Sequence, residues 1–545
     1  MSRIAVTEST TNDQTPHEEL NSQWCMIPEP VFIDILKDLS AKTVLNVGEC
    51  CRRWNDISRD DYLWRKIFRR DFRVKKKIEL KPGAECWLSE YKRLIDNVPL
   101  VLTDDIQDAH THQVLHVSFS HNGEMFATCS KDGYVIIWNS YSATIRYSHD
   151  MKEFSWKHTQ FSQFNQRDTL LLVSGVHFGS SHSTSGEIVV FSVNGESKLR
   201  CRINNRPYDI FGAWLTDEFV ISGNLHWLAQ LVTTSVLWLN KANQEIYSEH
   251  VPVTNQLYKF YNRNASSIRG IIVANCPWLD DVKTCYDNYE ECRPEYLDTG
   301  ASDTTIDDLE NMGPKYLIFS TGSSTYTPHQ VGFKFVHHVN FPRTLERGPS
   351  LKERIAIKKQ ERLLQNSEPR VEPNWLDYEA VADHFDPVDA IIDLHGHIIG
   401  MGLSPDHRYL YVHCGEWLPN YIISNPLEPP PIAQEINIHV IDLTTLTKVD
   451  QTFQSHTNYT LNDGCHFIFM DVCDNYLASG AEDMQAYVWD RHYGICLAKN
   501  PHKDVVNSVA FNPVDSEMLV TTSDDSTIKI WRSMNKVREL RKQHV

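Results

Sequence analysis

The sequence has no long uninterrupted hydrophobic run and no excess of basic residues. One uncharged stretch, residues 219–240, contains hydroxyl, amide and imidazole side chains, which suit paired strands better than a membrane span. The formal net charge is −18. General binding to nucleic acid or to anionic membranes requires a basic surface, so we expect neither a membrane span nor a nucleic-acid partner.

The 13 cysteines lack the spacing of a disulfide framework, and no apolar segment follows the first methionine. Both absences indicate a reducing compartment, and we expect a cytoplasmic protein. Residues 1–22 are polar and predict a disordered N-terminus. A chain of 545 residues is long enough for two or more domains.

Apolar residues recur at helical spacing over residues 23–66, which predicts a small module of short helices. Pro28 suits the first turn of one helix, and Ser40 can cap the next. A basic cluster and further apolar residues predict a helical linker over residues 67–97. The module is either a small helical cap or a docking surface for a partner helix.

The order of residues in this module resembles the F-box family. An aliphatic–proline start at Ile27, spaced aliphatic residues, a C-x-x-W at residues 51–54 and a following L-W at residues 63–64 occur in the family's order. The family binds the Skp adaptor of a cullin–RING ubiquitin ligase with this face. By position, the resemblance implies an adaptor-binding set of Ile27, Pro28, Val31, Ile35, Leu36, Leu39, Val44, Val47 and Trp54. Gly48 departs from a good helix former and is expected to weaken the second helix by about 1 kcal/mol.

From residue 98 onward the chain contains repeated three-stranded meanders. In three copies an Asp precedes a Trp by six positions, and a hydroxyl residue lies four before each Asp. A histidine precedes a phenylalanine by nine positions in two copies, at His110 and His502. A lone meander cannot bury its apolar face, so the copies must pack side by side.

These repeats resemble the WD-repeat family, whose blades join His, Ser or Thr, Asp and Trp in one hydrogen-bonded set. A buried imidazole and a buried indole each need a partner for their N–H groups. The resemblance therefore implies structural roles, not catalytic or metal-binding ones. The residues of the set are His110, Thr128, Asp132 and Trp138; His456, Ser479, Asp483 and Trp489; and His502, Thr521, Asp525 and Trp531.

Weaker copies between the clear repeats bring the total to seven. We expect a mainly β protein, a seven-bladed WD-repeat β-propeller over residues 98–545 preceded by the small α-helical F-box domain. A strand at residues 98–102 would close the ring, with residues 537–540 as the competitor. Insertions at about 277–313 and 341–388 interrupt the pattern; residues 280–310 of the first are acidic, and residues 343–370 of the second are basic.

One motif suggests hydrolase chemistry. His395 and His397 resemble the H-x-H metal-binding start of amidohydrolases. That chemistry needs further ligands at the ends of later barrel strands, whereas the downstream chain is predicted to form β-meanders. Gly-His is also the entry dipeptide of a WD blade. We therefore expect no metal, no cofactor and no enzymatic activity.

A helical F-box followed by a propeller resembles the F-box/WD-repeat substrate receptors. The resemblance implies a subunit that binds the Skp adaptor, and through it cullin and RING subunits, and that holds protein substrates for ubiquitination. Substrates implied by the family include regulators of centrosome duplication, and with them a centrosomal location beside the cytoplasmic one. The alternative is a WD-repeat scaffold that acts independently of any ligase.

The family resemblance raises two further questions, a second adaptor and the position of the substrate-binding surface. The DDB adaptor of another cullin is associated with a W-D-x-R signature, but His492 stands where the arginine is expected, which puts that partner in doubt. The substrate-binding residues are unknown. Blade-entry loops are the places to look, namely residues 156–157, 206–208 and 458–459.

Overall fold

The structure is a computed structural model that describes residues 26–177, 185–243, 254–282, 313–336, 373–457 and 467–543. The predicted N-terminal tail at 1–22, and residues 283–312 and 337–372, which include most of the two insertions, lie outside this part. The chain divides into two compact units, one ending at Leu94 and one starting at Ile95. Within the described part, no helix is both long and apolar enough to cross a membrane.

The first unit is helical. Its helices are α1 (Glu29–Leu36), α2 (Ala41–Gly48), α3 (Arg52–Ser58), α4 (Asp61–Asp71) and α5 (Trp87–Asp96). Side chains cap three of these helices, because Ser40 Oγ accepts a hydrogen bond from Thr43 N, Cys51 Sγ accepts one from Trp54 N, and Asp60 Oδ1 accepts one from Leu63 N.

Helix α5 packs against α4 through aromatic side chains. The ring of Trp87 lies 5.1 Å from Phe68, and the ring of Tyr91 lies 5.1 Å from Trp64. The Trp64 indole N–H also donates to the Ser58 carbonyl at 2.7 Å. The segment that the sequence predicted as a linker therefore contributes to the core of the helical unit.

The second unit consists of seven four-stranded antiparallel sheets, which confirms the predicted seven-bladed propeller. Blades 1 to 3 contain β2 (Val114–Phe119), β3 (Met125–Ser130), β4 (Tyr134–Asn139) and β5 (Thr144–Asp150); β6 (Trp156–Phe164), β7 (Leu170–His177), β8 (Gly186–Ser192) and β9 (Leu199–Asn205); and β10 (Ala213–Trp214), β11 (Phe219–Ala229), β12 (Val232–Lys241) and β13 (Thr254–Asn262). The uncharged stretch at 219–240 thus forms a pair of strands.

Blades 4 to 6 complete most of the ring. They contain β14 (Arg269–Asn275), β15 (Lys315–Thr321), β16 (Gln330–Val336) and β17 (Ala390–Asp393); β18 (Gly396–Leu403), β19 (Tyr409–Trp417), β20 (Ile432–Asp442) and β21 (Thr447–Thr457); and β22 (Met470–Val472), β23 (Tyr476–Ser479), β24 (Gln485–Asp490) and β25 (Cys496–Pro501).

Blade 7 joins the two ends of the ring. It contains β26 (Val506–Phe511), β27 (Met518–Ser523) and β28 (Ile528–Ser533), and its outer strand is β1 (Pro99–Ile106), which pairs with β28. The predicted closure by a strand near residue 100 is confirmed. The competing segment, residues 537–540, lies instead in the C-terminal helix Met534–Gln543.

The apolar core lies between neighbouring blades. All six residues of β3 are buried, as expected for a strand whose sheet is covered on both faces. One cluster joins Phe126 and Trp138 of blade 1 to Met518 and Ile530 of blade 7. Each blade therefore depends on its neighbours for burial of its apolar side chains.

Polar side chains of blade 7 also cross the seam to blade 1. Asn507 Nδ2 donates to the Val114 carbonyl at 3.0 Å, and Asn512 Nδ2 donates to the Gly123 carbonyl at 2.8 Å. Gly123 has a φ of +70°, and a Cβ there would overlap Asn512 Oδ1. Side-chain hydrogen bonds therefore join blade 7 to blade 1 across the seam, in addition to the apolar packing there.

Replacing Asn512 with alanine is expected to lower the free energy of unfolding by about 2 kcal/mol, because it removes the hydrogen bond to the Gly123 carbonyl and leaves the Val514 and Asp515 N–H groups without their side-chain acceptor. Chemical denaturation of the purified chain measures this change. Asn194→Ala, at an exposed position, is the matched control and should change stability by less than about 0.5 kcal/mol. Equal effects of the two substitutions would contradict the role assigned to the seam.

Candidate functional site

Helix α1 exposes an apolar edge. Val31 is 51% exposed and Ile35 is 43% exposed, and their spacing of four residues places both on one side of the helix. Pro28, just before the helix, and Met26 are exposed as well. Apolar side chains grouped in this way on a small unit indicate a surface that another protein covers.

The opposite side of α1 holds the helical unit together. Leu36 and Val44 are fully buried, and the ring of Phe32 lies 5.1 Å from Trp54. Arg53 on α3 donates from Nη2 to the Ile27 carbonyl at 2.6 Å, which fixes the segment that leads into α1.

The nine residues predicted to bind an adaptor therefore divide into two groups. Pro28, Val31 and Ile35 are exposed, and Ile27, Leu39, Val47 and Trp54 are partly exposed. Leu36 and Val44 are buried, with their side chains in the interior of the helical unit, and their predicted part in adaptor binding stays a prediction. Helical spacing alone does not separate the two sides of a short helix.

Gly48 has a packing role that the sequence did not reveal. A Cβ at this position would overlap Ser58 Oγ and lie 3.3 Å from Ser58 Cβ. Helices α2 and α3 can approach closely only because the side chain is missing, so the low helix propensity of glycine is offset by contact.

In blade 1 the predicted four side chains form one hydrogen-bonded set. Thr128 Oγ1 accepts from Trp138 Nε1 at 3.0 Å and lies 2.9 Å from His110 Nε2. His110 Nδ1 lies 2.9 Å from Asp132 Oδ2. Burial would raise the pKa of the Asp132 carboxyl, but this hydrogen bond helps to hold that pKa below its ordinary value, so the carboxylate accepts and Nδ1 donates.

Blade 7 repeats the arrangement. Thr521 Oγ1 accepts from Trp531 Nε1 at 2.9 Å and lies 2.7 Å from His502 Nε2, and His502 Nδ1 lies 3.2 Å from Asp525 Oδ2. Burial would raise the pKa of the Asp525 carboxyl, but hydrogen bonds from His502, Thr527 and backbone N–H groups outweigh it and hold that pKa well below its ordinary value. Burial also lowers the pKa of His502, so the pair is a neutral imidazole beside a carboxylate.

Blade 6 differs from the prediction. The Trp489 indole donates to the Gln454 carbonyl of blade 5 at 3.1 Å, and the Ser479 hydroxyl donates to the Gly480 carbonyl at 2.9 Å. The predicted contact between Ser479 and Trp489 is therefore not formed, and Asp483 accepts from the Tyr487 hydroxyl. The His456 side chain, the fourth predicted member, lies outside the described residues.

The rim loops chosen from sequence are only partly available. Arg206 and Tyr208 are exposed, whereas residues 458–459 lie outside the described part. Trp156 is wrong as a rim contact because it is fully buried, with its indole N–H donating to Glu187 Oε2 at 2.5 Å. Arg202 pairs with the same carboxylate at 3.0 Å. Sequence reasoning missed Glu187, although an acid inside the apolar strand β8 was an available signal.

The H-x-H motif and the W-D-x-R-like segment both lie in the propeller. His395 is exposed in the turn before β18, and His397 is partly buried within that strand. In the described part of the chain, no group of three or more His, Cys, Asp or Glu side chains is arranged to hold a metal ion. Arg491, in the W-D-x-R-like segment, donates to the Cys473 carbonyl at 2.7 Å and to the Tyr411 hydroxyl at 2.9 Å.

Aromatic side chains from several blades meet around His116. The His116 ring lies 4.6 Å from Phe161 and 4.3 Å from Phe469, and Phe211 lies 5.3 Å from Phe161. His116 Nδ1 accepts from the Ser162 backbone N–H at 3.2 Å. Burial in this cluster lowers the pKa of His116 to about 3.

Comparison with known proteins gives matches to both units. A family profile described as "F-box-like" matches residues 24–70, and one described as "WD domain, G-beta repeat" matches residues 104–139 and 494–532. The latter two stretches contain the two complete hydrogen-bonded sets. F-box/WD repeat-containing protein 5 of Rattus norvegicus is 41% identical, over 95% of this chain and 96% of that protein. The human protein of the same name is 40% identical, over 94% of this chain and 95% of that protein.

Buried histidines make the stability of the propeller depend on pH. Below about pH 6.5 the unfolded chain takes up a proton at each buried histidine, whereas folded His116 takes one up only near pH 3. We expect the free energy of unfolding to fall as pH decreases from 6.5 to 4. His116→Gln should reduce that slope by about one proton, or ~1 kcal/mol per pH unit. Denaturation at several pH values tests this, with exposed His395→Gln as control, and an unchanged slope in His116→Gln would contradict it.

Proposed function

The chain belongs to the F-box/WD repeat-containing protein 5 family, and from this premise we propose that it is the substrate-recognition subunit of an SCF-type cullin–RING ubiquitin ligase. The helical unit binds a Skp-type adaptor, and the propeller binds the protein to be modified. The chain itself forms no covalent bond with ubiquitin. It raises the effective concentration of substrate lysines near a ubiquitin-charged enzyme and orients them.

The exposed edge of α1 is the observation that carries this proposal. Val31 and Ile35 remain in solvent while the other side of the same helix is packed against α3. Arg53 holds the preceding segment in place, so the edge is formed before any partner arrives. A preformed apolar surface loses little conformational entropy on binding.

The propeller supports the non-catalytic part of the proposal. Its histidines at 110 and 502 are engaged within their own blades, each between a hydroxyl and a carboxylate. Such groups stabilise the fold and have no access to a substrate. The remaining function of the ring is to hold its loops at fixed positions for protein binding.

Finer features follow from the family resemblance. We include regulators of centrosome duplication among the substrates, with the cytoplasm and centrosome as sites of action. Attachment to a DDB adaptor is weakly supported, because Arg491 is engaged with Tyr411 and the Cys473 carbonyl inside the propeller and His492 replaces the signature arginine.

Val31→Asp combined with Ile35→Asp is expected to abolish co-purification of a Skp-type adaptor, because two carboxylates would be buried in an apolar interface. Substrate binding should survive. These exposed positions are a better test than Leu36→Ala, which would remove a core side chain. Adaptor co-purification and thermal unfolding of the variant, measured together, separate lost contact from lost folding.

Ile145→Asp, at a similarly exposed position in blade 1, is the matched control and should bind the adaptor normally. A ligase-independent scaffold would keep its partners and its cellular function when the α1 edge is changed. Retention of the adaptor by the double variant would contradict the proposed interface.

A further inference from the structure

We propose that three hairpin tips on one face of the propeller form a docking surface for an unphosphorylated substrate segment with apolar and basic side chains. The tips connect the second and third strands of blades 3, 4 and 5, at residues 227–231, 322–329 and 418–431, and are called the hairpin ridge below. This inference rests on the proposed function as a substrate receptor.

The ridge exposes large apolar side chains. Trp227, near the tip in blade 3, is 63% exposed, and Ile422, in the blade 5 tip, is 84% exposed. Leu418, Tyr421 and Leu427 of the same tip are exposed too. Tryptophan and tyrosine are the residues most enriched among those that dominate protein–protein binding energy, and such grouping on a surface marks an interaction site.

Backbone contacts hold the blade 3 tip in place. The Ala265 N–H, in the connection between blades 3 and 4, donates to the Leu231 carbonyl at 2.9 Å. Its neighbour Asn264 donates from Nδ2 to the Ser323 carbonyl of the blade 4 tip at 2.6 Å. The first two tips are therefore linked through one connecting segment.

The blade 5 tip is fastened to blade 4 in the same way. The Pro426 carbonyl accepts from Tyr326 N at 3.0 Å and from Thr325 Oγ1 at 2.8 Å. At the base of this tip, the Trp417 ring lies 4.9 Å from His329. Contacts thus run without interruption from blade 3 to blade 5, and the apolar side chains are held out by a fixed backbone. Such preorganisation reduces the entropy lost on binding.

Charge decides what the ridge can accept. The three ridge segments contain no lysine or arginine, and exposed Glu428 is their one charged residue. Half-exposed Glu416 lies two residues before the last segment. Nearby Arg263 stacks over the rings of Tyr261 and Tyr378, at 5.9 and 5.3 Å. Recognition of a phosphate requires clustered arginines or lysines. The carboxylates favour lysine or arginine beside an apolar segment instead.

A phage-displayed library of random 16-residue peptides, selected on the full-length chain, tests the proposal. We expect enrichment of peptides that combine apolar residues with lysine or arginine. Trp227→Ala with Ile422→Asp should weaken the selected peptides at least tenfold. Tyr141→Ala with Val514→Asp, at positions that are 60% and 65% exposed elsewhere in the propeller, is the matched control and should bind them unchanged.

Three results would overturn the proposal: no enrichment, enrichment of acidic peptides, or equal binding by the ridge variant and the control. Addition of phosphate to a selected peptide should weaken it, and tighter binding would also overturn the proposal. The test is separate from that of the adaptor surface. If the variant Val31→Asp with Ile35→Asp loses the adaptor but still binds ridge peptides, both proposals are supported. If the wild-type chain binds ridge peptides but no adaptor, the proposed function alone is refuted.

Discussion

The pairing of β1 with β28 is the constraint on which the rest of the propeller depends. No blade can bury its own apolar faces, so every sheet needs a neighbour on both sides and the ring must close. Closure joins residues near 100 to residues near 530, and Asn507 and Asn512 add bonds across the adjacent seam. Because the ring is closed, loops far apart in sequence keep fixed positions relative to one another.

Much of this architecture could be predicted because it depends on the sequence separation of residues within each repeat. The separation of six positions between Asp525 and Trp531 indicates a turn followed by a strand of fixed length, and the same separation recurs between Asp132 and Trp138. The short strands and turn residues between them predicted blades, and the count of blades predicted a closed ring. Even the closing strand near residue 100 followed, since an open ring would leave an unpaired edge.

The failures share a different cause, which is that spacing does not report the direction of a side chain. Trp156 lies where a blade begins, yet the Glu187 carboxylate on β8 of the same blade binds its indole in the interior. Trp489 has the expected spacing but donates to blade 5, so its blade lacks the predicted contact. Leu36 and Ile35 are adjacent in a helix, and only packing against α3 shows which one is exposed.

The helical unit and the propeller support the two halves of one function, adaptor binding and substrate capture. The most direct test of this account is hydrogen–deuterium exchange of the full-length chain with and without a purified Skp-type adaptor. The account predicts a one-to-one complex in which new protection is concentrated in residues 27–47. Absence of a complex, or new protection confined to the propeller, would contradict it.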